Sequence, residues 1–243
     1  MKWYFANTVQ RLRFAARHPR YALKAALREL TLADERFLAD ATGTRPIQVR
    51  GFLQEPFELP EFLAHLHQCE PAFRQGMASA DLWGKKVLVQ YAAVRALQPD
   101  LVVETGVASG VSSAYILLAL ERNQRGTLHS VEIGDPAYLP ANKEPGWIVP
   151  DWLRERWHMH IGDVAAVLPG LLRELGKVDM FIHDSLHTYE QMKFEFGLAR
   201  PHLRRDGLLL ADDALWNSAF GEFARAISSP ASAIIRGVGI LTT

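Results

Sequence analysis

The sequence holds one cysteine, Cys69, in 243 residues. That excludes an intrachain disulfide and any cysteine-based zinc site built from this chain alone. The expected setting is reducing and cytoplasmic. Net charge is missing too: 27 basic residues balance 27 acidic ones, which gives no reason to expect a nucleic-acid partner. No apolar run approaches the roughly 18–20 residues of a membrane span. The N-terminus lacks the unbroken apolar stretch of a secretory signal. Internal repeats and low-complexity tracts are absent. Two nucleotide signatures are absent as well. The stretch ETGVASGVSS at 104–113 reads G-x-x-x-G rather than G-x-G-x-x-G, which disfavours a nicotinamide dinucleotide. No Gly-Lys-Ser/Thr follows it, which excludes a P-loop.

What is present is enough apolar sequence, 49% of the chain, to bury a full core. Positive charge gathers at the start, where seven basic residues among positions 1–29 face only Glu29. Around Leu23, Leu27 and Leu30 the apolar spacing is helical, with Lys24 and Arg28 on another face. Such a helix can lie on anionic lipid, or pack on its own domain or a second subunit. Packing is the favoured reading, because Pro19 interrupts the segment. Residues 1–98 read as mostly helical, through LTLADERFLAD, a polar joint at ATGTRP, LPEFLAHLHQC and KKVLVQYAAVRAL (85–97). Pro60 suits a first helical turn.

From residue 101 apolar strands and amphipathic helices alternate. Strands are expected at LVVETG, TLHSVEI, HMHIGD, VDMFIHD and GLLLADD. Helices are expected at SSAYILLALERN, AAVLPGLLREL (despite Pro169), TYEQMKFEFGLARPHL and SAFGEFARAIS. A proline-rich loop spans 134–151, and SAIIRGVGILTT closes with one or two short strands. This pattern implies an α/β fold, a doubly wound, mostly parallel sheet covered on both faces. Residues 1–84 form a helical extension and 85–243 the domain that carries the sheet.

Ligands of such sheets bind beyond the C-terminal ends of the strands, and those ends are acidic: Glu104, Glu132, Asp163, Asp184, Asp212 and Asp213. Gly106 and Gly110 bracket a strand-to-helix turn, where backbone can approach a ligand and the helix N-terminus favours an anion. A carboxylate at Glu104 can accept from a ligand amine, and one at Glu132 can hold both hydroxyls of a ribose. The plainer alternative is a tight turn with solvated acids.

ETGVASG followed by VEIGD resembles the nucleoside-binding half of class I S-adenosylmethionine-dependent methyltransferases, which have a Rossmann-like fold. The resemblance implies that Glu104, Gly106, Gly110 and Ser112 surround the methionine moiety, Glu132 the ribose, and Asp163 the adenine neighbourhood. The family's third glycine is Ala108 here.

If the strands ending at Asp184 and at Asp212–Asp213 are neighbours, three carboxylates converge and repel one another. A hard divalent cation, expected to be Mg²⁺, resolves that conflict and can acidify a substrate hydroxyl. Helix capping is the competing explanation for one or two of these acids. The arrangement resembles the cation-dependent small-molecule O-methyltransferases, with an Asp after the fourth strand and an acidic pair after the fifth. Catechol-type members carry a basic residue, usually Lys, three positions after the first Asp; here that position is His187. The pattern D-x-x-H-x-Y is similar to the bacterial branch acting on sugar hydroxyls of glycosylated natural products, and to cephalosporin-hydroxylase-like proteins. The resemblance covers residues 85–243.

A neutral imidazole at His187 suits a general base. His183 is expected to point to the other side of its strand, and Tyr189 to line the pocket or pack its helix. The expected acceptor is a small-molecule hydroxyl in a pocket built from the N-terminal helices and loop 134–151, with Trp147 and Trp152 as stacking surfaces. The alternatives are a cephalosporin-hydroxylase-like enzyme of the same fold, or a non-catalytic binding or assembly protein docking through its basic N-terminus. Oligomeric state stays open, with the N-terminal helices as the candidate interface.

Overall fold

The computed structural model describes residues 32–76, 82–135, 137 and 139–243. The basic segment at 1–29 and its expected helix lie outside the described residues. The first three described helices are α1 (Ala33–Thr42), α2 (Pro46–Gln54) and α3 (Pro60–Gly76). The polar joint works as its residues dictate. Gly43 ends α1 in the left-handed region (φ 70°), and Pro46 opens α2 where a missing N–H costs nothing.

After α4 (Lys85–Leu97) the alternation begins with β1 (Leu101–Thr105), α5 (Val111–Asn123) and β2 (Thr127–Glu132). It continues with β3 (Trp157–Ile161), α6 (Val164–Leu175), β4 (Val178–His183), α7 (Tyr189–Ala199) and β5 (Leu203–Ala211). Last come α8 (Ala219–Ala226), β6 (Ser232–Ile235) and β7 (Val238–Thr242). Helix α7 stops four residues short of the expected Leu203, because Pro201 belongs to a separate 3₁₀ turn. Among the described residues no helix is long and apolar enough to cross a membrane.

The sheet has the order β3-β2-β1-β4-β5-β7-β6, parallel from β3 to β5. Strand β7 runs antiparallel to both its neighbours. Alternation along each central strand divides the core in two. Val102, Met180, Ile182, Leu208 and Leu210 face α4 and α5, while Val103, Phe181 and Leu209 face α6, α7 and α8.

The N-terminal helices do not stand off as a separate body. Leu38, Val49, Leu66 and Phe73 share one core with Val89 and Ala92 of α4 and Leu117 of α5. Phe62 meets Tyr115 of α5 edge-on at 5.1 Å. Glu55 fastens the same junction, accepting from Arg95 Nε (2.7 Å), Arg122 Nε (3.1 Å) and the Tyr91 hydroxyl (2.8 Å).

Candidate active site

The strand order reverses between β1 and β4, so the segments leaving these two strands part and open a crevice at the sheet's C-terminal edge. Gly106 (φ 84°) makes the crevice possible: a Cβ there would lie 2.2 Å from the Asp184 carbonyl oxygen. Only glycine lets the turn after β1 pass the end of β4. Gly110 (φ 86°) plays the same part toward loop 134–151, where a Cβ would come within 2.7 Å of Gly146 Cα. The loop seals onto the turn through Gly146 N to Ala108 O (2.8 Å) and Ile148 N to Ser109 O (3.1 Å).

The two acids of the turn behave differently. Glu104 faces α5 and is wholly buried, accepting hydroxyl protons from Ser112 (2.6 Å), Ser113 (2.7 Å) and Ser130 (2.9 Å). Burial pushes its carboxyl above the usual range, against the pull of those three donors. Glu104 and Ser112 thus form the floor of the turn in this structure. Glu132 accepts from the amides of Val107 (2.7 Å), Ala108 (2.8 Å) and Gly134 (2.9 Å), which leaves one of its about four lone-pair sites unused. In the same turn, the Ser109 hydroxyl is buried with no partner. An unsatisfied hydroxyl, a turn of left-handed residues and a carboxylate with spare capacity fit a nucleoside carrying hydroxyl and amino groups. Asp163 is exposed and N-caps α6 by accepting from Ala165 N (2.8 Å), one residue beyond the Gly162 amide that bonds Glu132 O.

The strands ending in the other acids are neighbours, His183 pairing with Ala211. Hydrogen bonding continues one residue past each strand, Asp184 N to Thr105 O (2.9 Å) and Asp212 N to His183 O (2.8 Å). This carries the acids side by side to the edge. Ligand atoms of Asp184, His187 and Asp212 all lie within 4.8 Å of one another. His187 Nε2 is 3.8 Å from an oxygen of Asp184 and 3.8 Å from one of Asp213. Neither Asp184 nor the Asp212–Asp213 pair caps a helix. Thr188 caps α7 by accepting from Gln191 N, and Asn217 bonds the first amide of α8. Burial, with Asp212 and Glu104 close by, drives the Asp184 carboxyl well above its ordinary value. Burial and the neighbouring His183 lower the His187 imidazole, despite the nearby acids.

The carboxylates of Asp184 and Asp212 fit a hard divalent cation such as Mg²⁺ or Mn²⁺, with the His187 imidazole beside them. Asp212 Oδ1 and His187 Nδ1 are both buried and unpartnered. The expected third carboxylate, Asp213, lies beside this group and shares the Lys86 ammonium with Asp212. Lys86 Nζ donates to Asp212 Oδ2 (2.8 Å) and to Asp213 Oδ1 (2.5 Å). Sequence reading passed over Lys86, because nothing in KKVLV distinguishes it from any lysine on a helix start.

It also passed over Glu195. This fully buried side chain of α7 gathers His183 Nδ1 (2.7 Å), Thr105 Oγ1 (2.5 Å), Ser185 Oγ (2.5 Å) and Gln191 Nε2 (2.8 Å). His183 therefore bonds α7 through Nδ1, while its ring still meets that of His187 edge-on at 5.5 Å. Tyr189 bonds Glu222 of α8 and is a helix contact. Lys143 covers the Trp147 ring at 4.6 Å. Trp152 lines a cavity of about 450 Å³ with Pro60, Phe62, Leu118 and Arg122, toward the far end of α5. Leu186, Leu215 and Trp216 are the exposed apolar side chains beside the cluster, with Trp216 meeting His187 edge-on at 5.3 Å.

Residues 103–214 match the model of a family described as a methyltransferase domain. No curated protein sequence matches the chain. Among solved structures, the SAH-bound methyltransferase PaMTH1 of Podospora anserina is similar, with a TM-score of 0.53 and 13% identity over 74% of this chain and 86% of its own. An O-methyltransferase from Bacillus cereus, also solved with SAH, gives 0.54 and 12% over 75% of this chain and 91% of its own. At such identities these likenesses concern the fold. Sheet order, crevice and matched segment coincide: residues 103–214 match a methyltransferase domain, and the chain has the Rossmann-like fold of class I methyltransferases.

Proposed function

We propose that the protein methylates a hydroxyl group of a small molecule, with help from a divalent cation. The observation that carries this reading is the convergence of Asp184, His187 and Asp212 within 4.8 Å, with Asp212 Oδ1 and His187 Nδ1 buried and unpartnered. Bound S-adenosylmethionine supplies an electrophilic methyl group. Glu132 and the amides around Gly106 and Gly110 would hold its nucleoside and methionine parts, with Asp163 beside the adenine. A cation held by Asp184 and Asp212 would supply positive charge that favours the deprotonated form of an acceptor hydroxyl.

The chain's own residues do the rest. His187 stays neutral at neutral pH, because burial lowers it, and so can take the hydroxyl proton at Nε2. Its ring is held between Trp216 on one side and His183 on another. Leu186, Leu215 and Trp216 give the acceptor an apolar rim, which suits a molecule with a sizeable hydrophobic body carrying hydroxyls. A polyhydroxylated or glycosylated natural product has that character. Positioning of the two reactants is the largest contribution expected of the protein.

Calorimetry tests the reading. The purified protein should bind S-adenosylmethionine, and methyl transfer to a panel of polyhydroxylated and glycosylated acceptors should require Mg²⁺ or Mn²⁺. Asp212→Ala should lower that transfer by roughly a hundredfold or more, the scale of losing one preorganised charged group. Activity unchanged in Asp212→Ala removes the cation from the scheme and leaves the methyltransferase in place.

A further inference from the structure

Lys86 stands where a lysine is not expected. It is the second residue of α4, in the first turn, where the helix dipole disfavours a cation. Its aliphatic stem lies against the turn between β6 and β7: a Cβ on Gly237 would sit 3.4 Å from Lys86 Cε. The stem leads the ammonium to carboxylates 126 and 127 residues away in sequence, Asp212 Oδ2 at 2.8 Å and Asp213 Oδ1 at 2.5 Å.

The charge balance of the cluster follows. Asp184, Asp212 and Asp213 carry three negative charges when ionised, Lys86 returns one, and neutral His187 adds none. Two negative charges remain, and one buried oxygen of Asp212 has no partner. That remainder matches one divalent ion. The lysine takes one oxygen of each acid of the pair, while the ligand atoms of Asp184, His187 and Asp212 form the converging group without Asp213.

We propose that Lys86 is a built-in counter-cation of the site: its ammonium neutralises the Asp212–Asp213 pair, withholds Asp213 from a divalent ion and opposes that ion's binding. The proposal rests on the cation-dependent reading above. Lys86 is then a positioning residue that sets how tightly the cation is held. It lets the acids fold together before any ion arrives, since buried carboxylates without a counter-charge are costly. It also keeps the affinity low enough for the ion to exchange.

Mn²⁺ alone is the probe. Its binding to the full-length protein is measured by calorimetry and by loss of the free-ion paramagnetic signal. Lys86→Met should bind Mn²⁺ roughly tenfold or more tighter, because a like charge a few ångströms away is gone. Lys86→Arg keeps the charge and should bind as the wild type does. In chelator Lys86→Met should melt below the wild type, and Mn²⁺ should raise its melting temperature by the larger increment. Should Lys86→Met fail to fold, the comparison is Asp213→Asn against the double variant Lys86→Met/Asp213→Asn, in which the double variant should bind tighter by a similar factor. If Lys86→Met, or the double variant against Asp213→Asn, binds Mn²⁺ no more tightly than its lysine-containing counterpart, the role of Lys86 is overturned. Equal tightening by Lys86→Arg overturns it too, and in either case the cation-dependent reading stands. Absence of Mn²⁺ binding from every variant overturns both.

Discussion

Ala108 holds a left-handed backbone (φ 44°) in the turn that leads from β1 to α5, between glycines that do the same. A Cβ in that region costs roughly 1–2 kcal/mol. The conformation persists because the neighbouring amides are spoken for: Val107 N and Ala108 N both bond Glu132, and the Ala108 carbonyl receives Gly146 N. Ala108→Gly should therefore stabilise the protein by about 1 kcal/mol, read as a higher urea midpoint with an unchanged slope. An unchanged or lowered midpoint would show that the alanine methyl makes contacts worth as much as the strain. Lys86, Glu195 and Asp213 belong to the same scale. Each has a role fixed by a partner distant in the chain, and none shows that role in its local sequence.

Helix α7 is the element on which the cluster depends. It starts where Thr188 accepts the Gln191 amide, and two turns later it presents Glu195 to Thr105, His183 and Ser185. Those contacts hold β1, β4 and the Asp184 loop to one helix. Thr188→Ala removes the cap and should cost about 1 kcal/mol of stability. The loss should concentrate at the start of α7, so hydrogen exchange of the Gln191 and Met192 amides should quicken more than that of α5. Uniform quickening across both helices would argue against a local cap. The caps also show that the helix ends do not account for the acids. Because Thr188 and Asn217 serve the helix ends, Asp184, Asp212 and Asp213 are left to one another, to His187 and to Lys86.

Across the whole molecule the acid sensitivity of the fold is set in part far from the crevice. His129 of β2 stacks on His158 of β3 at 4.6 Å between ring centres and meets His160 at 3.2 Å between nitrogens. Burial, then the like charges of His158 and His160, push His129 down to about 4. Burial likewise lowers His160. In the unfolded chain these imidazoles take protons near pH 6.5. The unfolded state thus binds more protons below that value, and the stability present above about pH 6.5 is lost as pH falls toward about 4. Asp184 and Glu104, raised by burial, act in the opposite sense over part of this range, so a difference measurement is required. Between pH 7 and pH 5, His129→Gln should lose less urea stability than the wild type. An equal loss in both proteins would remove the histidine cluster as the cause.

The chain by itself determined the elements and their order, because apolar periodicity, Pro46 and Pro60 at helix starts and Gly43 after a helix act within a few residues. It also marked Glu104, Glu132, Asp163, Asp184, His187, Asp212 and Asp213, since acids directly after buried strands must lie on one edge of a parallel sheet. Only the tertiary structure decided what each does there. Strand neighbourhood put Asp184 beside Asp212, while strand alternation turned His183 toward Glu195 and Glu104 toward three serines. A lysine from the helix before the sheet took Asp213. These outcomes depend on side chains 8 to 127 residues apart in the chain meeting at distances of about 3 Å. A pattern read along the chain carries no term for such meetings, because electrostatic pairing and hydrogen bonding act through space and only the packed sheet fixes which partners come within reach.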